Sequence, residues 1–304
     1  MRTPFSDALA AGPVVLDGGL ATELERRGHD LSDRLWSARL LRDDTRALVE
    51  VHEAFLRAGA RVVTTASYQA TYDGFAAAGL DQADTDRLLR RSVELARAAC
   101  EMATLATGDV PLWVAASVGP YGAMLADGSE YRGDYGLPVK RLRQWHRRRL
   151  EILADAGADV LAMETVPCLA EAEALVAEVD ALGVPAWLSM TCAGTSTRHG
   201  EPAADAFALA RDVDPVVAVG ANCTDPGDVA ALVRLAAHAS GKPVVAYPNS
   251  GERWDAIRRV WAGPAAFRPD DARAWVAEGA RLVGGCCRVG PAEIRAVVSA
   301  IIAR

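Results

Sequence analysis

The sequence predicts an α/β protein folded as a single (β/α)8 TIM barrel, and three observations carry this prediction. Short apolar runs alternate with segments of helical periodicity along all 304 residues. Three junctions, 58–63, 156–161 and 278–283, each place a glycine at the end of a helix and an aliphatic run after it, as is typical of a link into a parallel strand. Eight strand–helix units at this length indicate a barrel, with residues 1–304 as one domain.

The predicted elements follow one another in order. Strands are expected at 14–16, 62–65, 112–116, 160–161, 186–190, 216–220, 244–247 and 282–283. Helices are expected at 21–27, 44–58, 84–105, 138–156, 169–181, 203–211, 226–239, 270–279 and 291–303. The helix over 44–58 carries Leu48, Val51 and Phe55 on one face, so it has a clear side for packing against the sheet.

A doubly wound open sheet is the alternative architecture. Its first turn normally carries a phosphate-binding Gly-x-Gly-x-x-Gly sequence. Residues 17–21 read Asp-Gly-Gly-Leu-Ala and do not supply one. The barrel is therefore preferred.

Composition and charge narrow the class of protein. The net charge is −7 and the pI is about 5.3, which argues against a nucleic-acid binder, and the basic cluster 140–149 reads as the exposed face of a helix. The first seven residues lack the apolar run of a signal peptide, and no apolar run approaches the ~20 residues of a membrane span. We expect a cytoplasmic protein that acts on small molecules, with no nucleic acid or membrane partner; its oligomeric state stays open.

Two adjacent cysteines, Cys286 and Cys287, end the last predicted strand after two glycines. Neighbouring cysteines are poor disulfide partners, because their Cα atoms lie only about 3.8 Å apart, but both can reach one metal ion. Cys223 follows the sixth strand, whose tip lies near that of the eighth in a barrel. Three thiols at neighbouring strand tips predict a catalytic Zn²⁺ with one open position, whereas Cys223 as a buried apolar residue is the alternative.

The remaining cysteines, Cys100, Cys168 and Cys192, are interpreted as buried apolar residues. An all-thiolate zinc site is a poor Lewis acid for water, so a hydrolase is disfavoured. A thiol substrate in the fourth position would be deprotonated by the ion and would stay nucleophilic. The metal centre therefore predicts alkyl transfer onto a thiol.

Polar residues at the other strand ends suggest how such a thiol is held. Asp17 and Glu164 fit an ammonium group, although each can also be read as a helix cap or a supporting residue. The Gly18 and Gly19 amides stand at the start of a helix and could hold a carboxylate. An amino-acid thiol would use all of these features. The full set of expected substrate-binding residues is Asp17, Gly18, Gly19, Thr65, Ser67, Glu164 and Asn249.

Nine short motifs, spaced over nearly the whole chain, resemble those of the homocysteine S-methyltransferase family, in particular its cobalamin-independent members. They are Leu-Asp-Gly-Gly-Leu-Ala-Thr at 16–22, Leu-Trp-Ser-Ala at 35–38, Ser-Tyr-Gln-Ala at 67–70, Ser-Val-Gly-Pro-Tyr-Gly at 117–122, Gly-Ser-Glu-Tyr-Arg-Gly at 128–133, Glu-Thr-Val-Pro at 164–167, Asn-Cys at 222–223, Tyr-Pro-Asn-Ser-Gly-Glu at 247–252 and Gly-Gly-Cys-Cys at 284–287. The resemblance implies a zinc-dependent barrel with Cys223, Cys286 and Cys287 as ligands, and with Asp17 and Glu164 binding homocysteine.

The resemblance also implies the reaction. Zinc-bound homocysteine thiolate attacks the methyl carbon of a sulfonium donor, S-methylmethionine or S-adenosylmethionine, and forms methionine without a protein nucleophile. Trp36, Tyr68 and Tyr121 are candidate contacts of the donor sulfonium. The loop 125–136 is interpreted either as a lid over the donor or as a surface loop. Betaine as donor, a selenol as acceptor, and a non-catalytic redox-sensing zinc barrel remain as alternatives.

Overall fold

The computed structural model describes residues 3–107, 110–255 and 260–302. A single eight-stranded parallel sheet forms the centre of the molecule. Its strands are β1 (Val14–Val15), β2 (Val62–Thr64), β3 (Trp113–Val118), β4 (Val160–Val166), β5 (Ala186–Met190), β6 (Val216–Asn222), β7 (Val244–Tyr247) and β8 (Ala280–Val283). Neighbours follow chain order, β1 pairs with β8, and a bridge between Leu16 and Val62 joins β1 to β2. The predicted TIM barrel is confirmed.

Helices surround the sheet. They are α1 (Phe5–Ala11), α2 (Leu20–Arg26), α3 (Leu40–Asp43), α4 (Thr45–Ala58), α5 (Tyr72–Ala77), α6 (Gln82–Thr107), α7 (Tyr121–Leu125), α8 (Val139–Asp155), α9 (Leu169–Leu182), α10 (Ala203–Ala208), α11 (Val229–Ser240), α12 (Asp271–Ala277) and α13 (Pro291–Ile302). Two short antiparallel hairpins pair Cys192–Ala193 with Ser196–Thr197 and Arg253–Asp255 with Val260–Ala262. In the part of the chain that the structure describes, no helix is both long and apolar enough to cross a bilayer.

The glycine junctions behave as the sequence predicts. Gly59, Gly157 and Gly279 all take positive φ, between 84° and 119°, a conformation that glycine adopts without steric cost. Each one ends a helical segment and turns the chain into β2, β4 or β8. The repeated junction thus sets the alternation of helix and strand from which the barrel is built.

Helix α1 was not predicted, and it closes the bottom of the barrel. Phe5 and Leu9 are buried, and the Phe5 ring lies 5.8 Å from the Trp113 ring and 6.2 Å from the Trp187 ring, between centroids. The Trp113 indole N–H donates to the carbonyl of Thr3 at 3.0 Å. The amino-terminal ends of the strands are therefore covered by apolar side chains, and the polar residues gather at the opposite end.

His52 lies on α4 and is fully buried, and neither of its ring nitrogens has a hydrogen-bond partner. Burial lowers its pKa to about 4 from an ordinary value of 6.5. The unfolded chain therefore binds more protons between pH 4 and 6.5, so the stabilisation is complete above pH 6.5 and is lost as the pH falls through this window. The full shift in the pKa of His52 corresponds to about 3 kcal/mol in the free energy of unfolding.

We expect the wild-type free energy of unfolding to fall by about 2 kcal/mol more than that of His52→Leu between pH 7 and pH 5. Leucine is similar in volume and does not titrate, so it keeps the packing and removes the proton uptake. Denaturant unfolding of both proteins at the two pH values measures the difference. Parallel losses in the two proteins would show that His52 does not carry the effect.

Candidate metal centre and substrate cavity

A cavity of about 670 Å³ opens at the carboxyl-terminal ends of the strands, which is where TIM barrels place their active sites. Its wall is built from the carboxyl-terminal ends of β2, β3, β4 and β7, from the segments that follow β1, β2, β3, β6 and β8, and from the loop before α3. The lining of the cavity includes Asp17, Gly18, Gly19, Trp36, Thr64, Thr65, Tyr68, Gln69, Glu130, Tyr131, Glu164, Thr165, Cys223, Tyr247, Cys286 and Cys287.

The three predicted thiols meet at one side of this cavity. The sulfur of Cys223 lies 2.7 Å from that of Cys286 and 3.8 Å from that of Cys287, and all three sulfurs fall within 4.8 Å of one another. Among the described residues this is the group of potential ligands that could hold a metal ion. Strands β6 and β8 flank β7, so their tips bring together residues that are more than sixty positions apart in sequence.

The donor set fits a thiophilic metal ion. Two sulfurs bound to one tetrahedral zinc at about 2.3 Å would lie about 3.8 Å apart. The Cys223–Cys287 distance of 3.8 Å matches this value, and the Cys223–Cys286 pair needs to open by about 1 Å. Arg34 is the one arginine or lysine in the described cavity lining, and its Nη2 donates to the Leu125 carbonyl at 3.3 Å, so a bound cation would be the partner of the three thiolates.

The protons on the three sulfurs are shared unequally. Hydrogen bonds from Cys286 and Cys287 hold the pKa of Cys223 well below its usual range, whereas the same contacts hold the pKa values of Cys286 and Cys287 well above theirs. Binding of a divalent cation favours the loss of all three protons.

Three residues of the cavity have unusual backbone conformations. Trp36, Thr165 and Cys223 have φ values of 50°, 60° and 49°, in the left-handed region that β-branched and bulky residues rarely adopt. Asn222 holds one of them: its Oδ1 accepts from the Thr165 amide at 2.7 Å and its Nδ2 donates to the Thr165 hydroxyl at 2.8 Å. Strained backbone that clusters at a cavity is typical of a functional site.

Backbone hydrogen bonds join the loop after β1 to the loop after β8, and they hold Cys286 and Cys287 in position. The Gly19 amide donates to the Val289 carbonyl at 2.9 Å and the Gly285 amide donates to the Asp17 carbonyl at 3.1 Å. A Cβ on Gly19 would lie 2.5 Å from the Cys286 carbonyl oxygen, so only glycine allows this approach. The Gly19 amide is thus engaged within the protein, so the predicted contact with a substrate carboxylate stays a prediction for the Gly18 amide alone.

Asp17 and Glu164 face the same cavity, as predicted. Asp17 accepts from the Thr64 amide at 2.7 Å and from the Thr64 hydroxyl at 2.9 Å. Glu164 accepts from the Ser117 hydroxyl and, at 3.0 Å, from the Tyr247 hydroxyl. Burial raises the pKa of Asp17 to about 8 and that of Glu164 to about 7. Two buried carboxyl groups at the strand tips form a subsite that a cationic ligand would stabilise.

Of the other predicted substrate contacts, Ser67 and Asn249 lie outside the described cavity lining. The Ser67 hydroxyl donates to the Ser117 carbonyl at 2.7 Å and bonds the Thr65 hydroxyl at 2.6 Å; Thr65 lines the cavity and Ser67 lies behind it. Asn249 is also absent from the described lining, and its Oδ1 accepts from the Cys287 amide at 3.2 Å. The structure therefore places Asn249 as a support of the thiol cluster.

Two of the three aromatic donor candidates line the cavity. Trp36 and Tyr68 pack edge to face, with centroids 6.5 Å apart. The Tyr121 ring instead packs against Tyr135 and Trp145 at 5.4 and 5.1 Å, outside the described cavity wall. Its amide donates to Glu171 at 2.6 Å, which anchors the start of α7 in the helical layer and turns the ring away. The structure does not bring Tyr121 to the site.

A family profile described as homocysteine S-methyltransferase matches residues 14–301. The chain belongs to the homocysteine S-methyltransferase family. The crystal structure of the homocysteine methyltransferase MmuM from Escherichia coli in its metallated form is 43% identical and superposes with a TM-score of 0.88, covering 98% of this chain and 99% of that one. A metallated relative with the same barrel supports a metal-binding role for the thiol cluster.

Relatives within this family carry two kinds of name. The homocysteine S-methyltransferase YbgG from Bacillus subtilis is 42% identical over 94% of this chain and 93% of its own length. A selenocysteine Se-methyltransferase from Brassica oleracea is 41% identical over 96% of this chain and 90% of its own length. Similarity of this degree thus extends to family members named for a sulfur acceptor and for a selenium acceptor.

The homocysteine S-methyltransferase fold also places Tyr131 in the cavity beside Cys223, and this residue was not among the predicted site residues. Its hydroxyl lies 3.9 Å from the Cys223 sulfur, and the Arg198 guanidinium stacks over its ring at 5.6 Å. The family motif at 128–133 contained the only signal for it, because the residue sits in a loop whose direction depends on tertiary contacts. Of the loop 125–136, residues 126–128, 130 and 131 line the cavity.

Proposed function

We propose that this protein transfers a methyl group from a sulfonium donor to homocysteine, with a Zn²⁺ ion held by Cys223, Cys286 and Cys287. The observation that carries the proposal is the convergence of three thiols and two buried carboxyl groups on one cavity. A thiol substrate with an ammonium group matches both halves of that cavity. The family to which the chain belongs and the metallated relative support the assignment.

When bound, the ion supplies a thiolate from a homocysteine thiol that would otherwise be only a few per cent ionised at pH 7. Asp17 and Glu164 bind the α-ammonium group and so set the direction of the chain that carries the sulfur. Thr64, Ser117 and Tyr247 keep both carboxyl groups in place. The protein thereby aligns the acceptor sulfur before the donor enters.

The donor site lies on the side of Trp36 and Tyr68. The faces of these rings attract a sulfonium cation, and seven acidic residues line the described part of the cavity wall against a single arginine, Arg34. The methyl carbon leaves the sulfonium sulfur, which keeps the bonding electron pair and becomes a thioether, and bonds to the homocysteine sulfur. The donor loses its charge in this step, so the product thioether is held less tightly than the sulfonium.

The test is a panel of methyl donors with and without a chelator. We expect zinc-loaded protein to form two molecules of methionine per turnover from homocysteine and S-methylmethionine, and to form none from betaine. Chelation should abolish the activity and one equivalent of Zn²⁺ should restore it. Turnover that survives removal of the metal, or the absence of methyl transfer from S-methylmethionine and S-adenosylmethionine alike, would contradict the proposal.

Selenocysteine is a second candidate acceptor, favoured by the 41% identity to a selenocysteine Se-methyltransferase. A selenol ionises more readily than a thiol and would place its ammonium group one carbon closer to the metal. Initial rates with homocysteine and selenocysteine at fixed S-methylmethionine compare the two acceptors. Reversible oxidation of the cluster without methyl transfer to either would instead support the redox-sensing alternative.

A further inference from the structure

Two buried hydrogen-bond acceptors in the wall of the cavity have no partner. They are Oε2 of Glu130 and Oε1 of Gln69. Among the residues that the structure describes, Glu130 Oε2 is the only buried carboxylate oxygen in this state. A buried polar atom without a partner is costly and calls for an explanation. Both atoms accept hydrogen bonds, so the group that would satisfy them must be a donor.

The orientation of Gln69 is fixed by its other contact. Its Nε2 donates to the Ala123 carbonyl at 3.0 Å. A carbonyl can only accept, so the amide cannot be turned around, and Oε1 is the atom left without a partner. Gln69 follows Tyr68, one of the two aromatic residues on the donor side of the cavity.

Glu130 is held against the same helix. A Cβ on Gly122 would lie 2.5 Å from the Glu130 amide nitrogen, so α7 packs directly on the Glu130 backbone through its glycine. The turn around it is rigid, because the Ser129 amide donates to Asp127 at 2.9 Å and Arg132 Nη2 donates to the Ser129 hydroxyl at 2.8 Å. Gln69 and Glu130 therefore reach the cavity from two loops, and both loops contact the short helix α7.

Asp17 and Glu164 differ from Glu130, because each of their carboxylate oxygens has a hydrogen-bond partner within the protein. Both oxygens of Asp17 accept from Thr64, and both oxygens of Glu164 accept from hydroxyl groups. Burial raises the pKa of Glu130 to about 7, a cost that a cationic partner would offset. An ammonium group carries a charge and three N–H donors, so it suits a carboxylate oxygen and an amide oxygen alike.

We propose that Glu130 and Gln69 bind the α-ammonium group of the amino-acid sulfonium donor. This inference rests on the proposed function and makes it more specific. A sulfonium or quaternary ammonium centre alone has no N–H and leaves both acceptors without a partner. Donors such as betaine, and sulfonium compounds without an amino group, therefore lose this contact.

The test compares two donors in Glu130→Gln and in wild-type protein, both zinc-loaded. S-Methylmethionine carries the ammonium group, and 4-(dimethylsulfonio)butanoate is the same molecule without it. We expect the substitution to raise KM for S-methylmethionine by about tenfold, while KM or, if there is no turnover, the competitive inhibition constant of the desamino compound changes less than threefold. KM for homocysteine should stay within twofold.

Asp134→Asn is the matched control. It removes a carboxylate from the same loop, but Asp134 is exposed and lies outside the described cavity lining, so both donors should bind as in wild type. An equal loss for both donors in Glu130→Gln, a rise in KM for homocysteine instead, or a response no larger than that of Asp134→Asn would overturn the inference. Absence of methyl transfer from both S-methylmethionine and S-adenosylmethionine in wild-type protein would instead mean that the proposed function itself is wrong.

Discussion

Replacing Cys286 with serine is expected to remove the metal and to lower turnover by roughly a thousandfold. Serine has nearly the same shape, but its hydroxyl does not ionise near neutral pH, so the cluster keeps two thiolates in place of three. Without the ion that deprotonates it, a homocysteine thiol with a pKa of about 8.5 is ionised in only about one molecule in thirty at pH 7, so the concentration of thiolate falls about thirtyfold. The homocysteine sulfur is also no longer positioned for attack.

Two measurements on Cys286→Ser separate the loss of metal from a loss of fold. Elemental analysis should give about one zinc per wild-type chain and much less in the variant, while the thermal unfolding midpoints of the two metal-free proteins should agree. Cys100→Ala is the control, because Cys100 is a buried residue of α6 away from the cavity. Full zinc content and unchanged turnover in Cys286→Ser would refute the assignment of this ligand.

The barrel could be predicted because local sequence determines its helix–strand junctions, and the thiol cluster could be predicted because the barrel's topology determines it. A glycine that ends a helix before an aliphatic run specifies its own backbone conformation, and Gly59, Gly157 and Gly279 adopt it. Once eight parallel strands close in chain order, the residue after each strand must lie at one end of the barrel. Cys223 and the vicinal pair are therefore brought together by topology alone.

The side chains of the longer loops could not be predicted in this way. Tyr121 and Glu130 both follow β3, yet the first turns outward against Trp145 and the second lines the cavity. The difference is set by Glu171, which accepts from the Tyr121 amide and from the Tyr135 hydroxyl and so anchors both sides of the loop. Such contacts come from helices far along the chain and have no local signature in sequence.

Helix α1 was missed for a related reason. Its seven residues are too few for a clear helical period, and only Phe5 and Leu9 are buried. Its stability comes from the rings of Trp113 and Trp187 at the bottom of the barrel, which lie in β3 and β5. A short helix that depends on packing in this way is specified by the finished barrel rather than by its own sequence.

Replacing Asp17 with asparagine is expected to weaken homocysteine binding by about a hundredfold, because a buried ammonium group then loses one of its charged partners. The variant should fold normally. Asparagine Oδ1 can accept from the Thr64 amide, and its Nδ2 can donate to the Thr64 hydroxyl, which then acts as an acceptor. KM for S-methylmethionine should not change.

The matched substrate is 4-mercaptobutanoate, which is homocysteine without its amino group. If Asp17 acts through the ammonium group, this thiol is methylated with the same kcat/KM by wild type and variant, whereas equal losses with both acceptors would show that Asp17 supports the cavity wall and not the substrate.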